Sequence, residues 1–190
     1  MTRGYRLFVA FSLAAGSIWA AGAGRKAPEL AFTVPGQGQK LLSQYRGKVV
    51  ALEFILTTCP HCQDASRLMT RYQQELGARG FQALDIAINA LDTSPDPNNA
   101  NTVVANFVKE FQVGFPVGWV TRDQFMGFMG FSVLDRVMVP QLVLIDRKGV
   151  IHYETPAGDS PERESLMKQE VIRQHIEELL SLSDAHKRAH

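Results

Sequence analysis

The chain has 190 residues, 45% of them hydrophobic and 21% charged. That length suits a single domain, and ordinary globular usage excludes disorder, collagen or coiled coil for the whole. Twenty Lys plus Arg against nineteen Asp plus Glu give a net charge of +1, which offers no basic face for nucleic acid.

At the N-terminus, Arg3 and Arg6 precede an apolar, uncharged run from Leu7 to Ala21. Ala21-Gly22-Ala23 then supplies the small-x-small pattern of a signal peptidase site. Residues 1–23 therefore read as a cleaved signal peptide. The competing reading is a retained membrane anchor. A spanning helix needs about 20 apolar residues, a length reached here only by including Arg6. Under either reading the rest of the chain is exported to the periplasm or another extracytoplasmic space, where a cysteine pair can hold a disulfide. Residues 24–185 are expected to form the domain, with 186–190 as a frayed tail.

Residues 25–47 read as an extended lead-in, with a short strand at Ala31 to Val34 and turn chemistry at Pro35-Gly36-Gln37-Gly38. Val49 to Ile55 is a nearly continuous apolar run, the mark of a strand buried on both faces. Ala65, Leu68, Met69, Tyr72 and Leu76 fall at helical spacing, and Gly77 and Gly80 are expected to end that helix. A second strand covers Phe81 to Ile88, and Asp92 to Asn99 is a loop rich in turn formers. Val103, Val104, Phe107, Val108 and Phe111 predict an amphipathic helix. A short strand over Phe115 to Val120 follows, then a helix over Asp123 to Phe131. Leu142 to Ile145 is a strand, Asp146 to Gly149 a hairpin turn, and Val150 to Tyr153 its return. One last helix is predicted over Pro161 to Leu182, with Ile172, Ile176, Leu179 and Leu180 facing inward. Strands alternating with helices indicate an α/β domain.

The two cysteines, Cys59 and Cys62, are too few for a disulfide framework or for a four-thiolate zinc site. Cys59-Pro60-His61-Cys62 lies between a buried strand and an amphipathic helix. Proline favours the first helical position, which puts Cys59 at the N-cap, against free N–H groups and the positive end of the helix dipole. Those groups favour the thiolate, the nucleophile of disulfide exchange, and a charged His61 would add to them. Cys62, one turn inside, is expected to be less exposed and to resolve a mixed disulfide. The other readings are a short structural disulfide, a metal site completed by His61 or His152, and inert buried thiols.

Glu53 interrupts the first buried strand. Burial would raise its pKa towards that of a useful general base, so it is expected to take the proton of Cys62. The plainer alternative is a solvated Glu at the strand's end. Val139-Pro140 marks an edge, a turn or a cis bond ahead of a strand; the alternative is an ordinary trans turn. Met126 and Met129, beside Phe125 and Phe128 at helical spacing, read as core positions rather than copper ligands.

These residues resemble a thioredoxin-fold protein over roughly residues 27–180, and more narrowly the exported TlpA/ResA-like branch. Ala27 to Val34 is similar to its lead-in strand, Arg46-Gly47-Lys48-Val49-Val50 to its entry into the central strand, and Leu144 to Gly149 to its final hairpin. The resemblance implies a three-layer α/β/α sandwich with a central mixed sheet and a helix–strand insertion from about Asn98 to Val120. It implies a redox site at Cys59 and Cys62, a buried acid at Glu53, and a cis-proline at Pro140. Pro60, Val139 and Pro140 would contact the substrate, Val139 through its backbone. The implied activity is thiol–disulfide exchange with protein thiols or disulfides and a redox partner protein. It calls for no metal and no organic cofactor.

Two departures stand out. Thr58 occupies the position where that branch commonly has Trp, and the Pro60-His61 dipeptide resembles that of the oxidase DsbA. DsbA has a potential near −120 mV, against about −270 mV for thioredoxin, so scaffold and dipeptide point to opposite directions of electron flow. Two other activities compete. A thiol peroxidase of the AhpC/TSA-like group typically carries Thr or Ser three residues before its nucleophile, where this chain has Leu56. A Sco-like copper metallochaperone normally has three residues between its cysteines.

Overall fold

The computed structural model describes residues 24–188, with side chains described as far as Leu182. The expected signal segment, 1–23, lies outside the described residues. In chain order the elements are β1 (Arg25–Lys26), β2 (Ala31–Val34), β3 (Gly38–Leu41), β4 (Val49–Ile55), α1 (Pro60–Leu76), β5 (Phe81–Ala87), α2 (Pro97–Phe111), β6 (Val117–Trp119), α3 (Arg122–Met129), β7 (Gln141–Ile145), β8 (Val150–Glu154), α4 (Pro161–Leu166) and α5 (Gln169–Arg188). The strands form one sheet in the order β1-β8-β7-β4-β5-β6-β2-β3. β4, β5 and β6 run parallel, joined by crossovers through α1 and α2, and the other pairings are antiparallel. The sheet is therefore mixed. It is covered by helices on both faces, as a thioredoxin-like sandwich requires.

The side-chain period of two divides each central strand between two cores. Val49, Ala51 and Ile55 of β4 join Ala83, Leu142 and Leu144 beneath α1, α2 and α5. Val50, Leu52 and Phe54 join Leu84, Ile86 and Val143 on the opposite face, under α3 and the lead-in strands. All seven residues of β4 and all seven of β5 are buried, which explains apolar runs broken only by Glu53 in β4 and by Gln82 and Asp85 in β5. Met129 is buried in the second core and Met126 packs against it. Gly118 marks where β6 passes β2: an added Cβ would stand 2.6 Å from the Phe32 ring and 2.9 Å from the Thr33 carbonyl.

Several boundaries differ from the sequence reading, each for a local reason. Gly77 stays helical, and the chain reverses at Gly80, which alone of the two has a positive φ, of 93°. The loop expected through Asn99 ends earlier, because the Asp96 carboxylate accepts from the Asn98 N–H and Pro97 fills the first helical position of α2. The extended lead-in contains β1 and β3, two short edge strands. The single last helix is two. Met167, at φ −83° and ψ 0°, separates them. The two are anchored separately: Arg163 holds α4 against Pro140, whereas α5 packs Ile172, Ile176, Leu179 and Leu180 on the sheet. α5 is traced to Arg188, so of the expected tail only residues 189–190 lie outside the described residues.

Candidate functional site

The site lies where β4 hands over to α1. Cys59 is the N-cap, in extended conformation at φ −86° and ψ 120°, and Pro60 opens the helix. Cys59 is half-buried and Cys62 is fully buried, and both are free thiols in this structure. The Cys59 sulfur caps no helix N–H in this dithiol form. Burial, with Cys59 alongside, pushes the Cys62 thiol up. The turn before the motif is pinned from the segment just after β5: the Thr57 N–H donates to Asn89 Oδ1 at 3.0 Å, and the Asn89 amide donates back to Thr57 Oγ1 at 3.1 Å. The Gln63 amide adds a bond to the Thr57 carbonyl at 3.2 Å.

A cavity of about 440 Å³ opens beside this turn. Glu53, His61, Val139 and Pro140, all expected site residues, are among its walls, with Leu68, Met138, Met167 and Ile172 as apolar lining. Cys59, Pro60 and Cys62 are not; they belong to the helix start that supplies His61. The Val139-Pro140 bond is cis. His152 is remote from this group, bonded through Nε2 to Asp146 Oδ2 at 3.1 Å near the hairpin.

Glu53 is fully buried. Burial and the neighbouring Asp85 carboxyl push its pKa well above the usual carboxylate range. Asp85, its register partner on β5, is likewise fully buried. Burial lifts Asp85 to about 7, against the Ser66 hydroxyl and Glu53, which pull it down. A carboxyl whose native pKa lies above its unfolded value binds extra protons in the folded state between the two. Stability therefore falls as pH rises from about 4 to about 7, by roughly a few kcal/mol at most for one such group. Asp85→Asn removes that term. The variant is expected to melt above the wild type beyond pH of about 7, with the gap closing as pH falls towards the ordinary Asp value. Thermal melts across this range check it, and a gap independent of pH contradicts it.

Sequence reasoning missed Asp85, although it carried the same signal as Glu53: one charge inside an apolar strand. It also missed the group that fixes the proline loop. Buried Gln141 donates to the carbonyls of Met138 (2.6 Å), Pro156 (3.1 Å) and Ala157 (3.2 Å) and accepts from the Thr155 hydroxyl. Arg163, also buried, donates to the Pro140 carbonyl at 2.6 Å. These partners come from distant segments, and no local pattern announces them.

A model of the AhpC/TSA family matches residues 23–154. No curated protein matches the sequence. Among solved structures, the chain is similar to a candidate protein disulfide isomerase from Bacteroides thetaiotaomicron (26% identity, 88% of this chain and 96% of that one, TM-score 0.61). It is also similar to a candidate thiol:disulfide interchange protein DsbE from Chlorobium tepidum (24% identity, 80% and 96%, TM-score 0.58). A thioredoxin-family thiol:disulfide interchange protein from Chlorobium tepidum TLS aligns at 19% identity over 84% and 98%, with a TM-score of 0.63. The family match spans the lead-in, the cysteine pair, the cis-proline and the final hairpin: the chain belongs to the AhpC/TSA family, with a thioredoxin-like fold and a general thiol–disulfide redox function.

Proposed function

We propose that this protein is an exported thiol–disulfide oxidoreductase that exchanges a Cys59–Cys62 disulfide with protein substrates. The observation that carries this reading is the asymmetry of the pair: a half-exposed Cys59 at the helix N-cap, and a fully buried Cys62 one turn inside. Only Cys59 is open to a bulky disulfide, and only Cys62 is placed to displace it. In the oxidising direction Cys59 accepts a disulfide from a redox partner and Cys62 closes the internal bond. In the reducing direction the same bond is opened by a partner thiol. His61 is exposed beside Cys59 at the opening of the helix. Glu53 takes and returns the proton of Cys62. Val139 offers backbone to an extended substrate segment, and Pro140, held by Arg163, fixes that edge. Pro60 keeps the motif open on the substrate side. Export rests on residues 1–23. No described helix is long and apolar enough to cross a membrane.

The Cys62→Ser variant tests the division of labour. It is expected to accumulate a mixed disulfide between Cys59 and substrate, visible as a thiol-sensitive adduct by mass spectrometry. Adduct on residue 59 supports the assignment, and rapid release with no adduct sinks it.

The family match favours a second reading, thiol peroxidase, in which Cys59 reduces a peroxide. Leu56 stands where that chemistry places a hydroxyl three residues before the nucleophile. The Thr57 hydroxyl is taken up by Asn89. Stoichiometric peroxide reduction faster than disulfide exchange would favour this second reading.

A further inference from the structure

Beneath the helix that carries the cysteines, the sheet holds two carboxyl groups side by side. Glu53 and Asp85 are partners in the parallel β4–β5 register, and both are fully buried. The Ser66 hydroxyl, from the helix above, donates to Asp85 Oδ2 and also reaches the Cys62 carbonyl at 3.0 Å. Asp85 Oδ1 and both Glu53 oxygens have no donor. The cavity wall that Glu53 shares carries His61 and Asp64 of α1, Asp159 ahead of α4, and Arg163 and Glu164 of α4. β7 places Leu142 opposite Glu53, and β6 places Val117 opposite Asp85. α1 contributes Cys62 and Ser66, α5 contributes Ile172, and His61 lies on the shared cavity wall. Arg163 of α4 interacts electrostatically with Cys62 and Asp159, and its guanidinium donates to the Pro140 and Pro156 carbonyls.

Two ionised carboxylates at neighbouring register positions in a dry core repel strongly, so the pair holds at least one proton. A hydrogen between them also satisfies oxygens that are otherwise orphaned. This changes what Glu53 can do. Alone, a carboxyl so deeply buried keeps its proton and is no base. With a second carboxylate in contact, it has somewhere to pass that proton without leaving the core.

We propose that Asp85 is the proton store that makes Glu53 usable as the base for Cys62. Asp85 acts through Glu53 and touches neither sulfur, so it is a positioning residue. The inference rests on the proposed exchange function. In the resolving step, the Cys62 thiol gives its proton to Glu53 as Glu53 gives its own to Asp85. The Cys62 sulfur then attacks the Cys59 sulfur. The Cys59–Cys62 bond forms, the bond from Cys59 to the substrate sulfur breaks, and the electron pair leaves on the substrate thiolate, which takes a proton from water. Opening of the disulfide runs the relay backwards. The near-neutral titration of Asp85 supports this: below it the pair is doubly protonated and has no acceptor, and above it one acceptor is present.

Ellman's reagent separates the two steps on the full-length reduced protein. The first thionitrobenzoate released reports attack by Cys59, and the second reports attack by Cys62. In the wild type the second phase is expected to accelerate as pH rises through neutrality. In Asp85→Asn it should slow by at least about tenfold and lose that inflection, while the first phase stays within about twofold. Ser66→Ala, a milder change, removes the donor that pulls Asp85 down, so its inflection should move to higher pH even if Asp85→Asn fails to fold. A wild-type second phase in Asp85→Asn, or an unmoved inflection in Ser66→Ala, overturns the proton store. If Cys59→Ser releases its single thionitrobenzoate as fast as the wild-type first phase, Cys59 is not the attacking thiol and the exchange function itself fails, which is a separate result.

Discussion

Replacing Cys59 with Ser is expected to remove disulfide exchange, by on the order of a thousandfold or more, while leaving the fold intact. Serine keeps the shape and the N-cap geometry, but an alcohol is not a nucleophile towards sulfur at neutral pH. Cys62 cannot take over, because it is fully buried and its thiol is pushed up by that burial. The two single variants therefore fail differently: Cys59→Ser never captures substrate, and Cys62→Ser captures it without release. Turnover of a generic protein disulfide, followed beside far-UV circular dichroism, checks this. Activity of Cys59→Ser within tenfold of the wild type would mean that another group carries the chemistry.

Phe54→Ala carries the largest expected loss of stability. Phe54 is fully buried, with ring centroids 4.8 Å from Phe125 and 5.4 Å from Phe128. Truncating a core Phe costs about 3–5 kcal/mol from lost transfer energy and the cavity left behind. For a chain of this size each kcal/mol lowers the melting temperature by about 2–4 °C, so a fall of roughly 6–20 °C is expected. Glu53, the adjacent residue, faces the other core beneath α1. Well below its melting point the variant should keep its exchange rate. A fall of only about 2 °C would show that the α3 aromatic cluster does not hold this face. Normal melting with lost exchange would show that the two faces are not independent.

These two residues also mark what was legible in the sequence. β4 declared itself through seven consecutive buried positions, and Glu53 stood out against that run. Cys59 declared its N-cap through Pro60. Local rules marked the boundaries at Gly80 and Pro60, and the same kind of rule, Asp96 capping a helix opened by Pro97, decided the start of α2 without being read. No local rule marked the break at Met167, because it follows from Arg163 reaching Pro140, 23 residues away. Gln141 and Thr155 were silent for the same reason: each is an unremarkable polar residue until the fold closes. Asp85 was readable and was passed over. Its meaning depends on register, since only the pairing of β4 with β5 sets it against Glu53.

Under the proposed function, Cys59 and Cys62 form one reversible two-electron couple. Equilibration of the full-length protein in glutathione buffers, with thiol alkylation read by mass spectrometry, measures this directly. The predicted result is a single transition in which both thiols are lost together, at a potential between about −270 mV and about −120 mV, the span from thioredoxin to DsbA. Its position in that span sets the direction of electron flow. Independent oxidation of the two thiols, or no internal disulfide at any potential in the span, would show that Cys59 and Cys62 are not a redox couple.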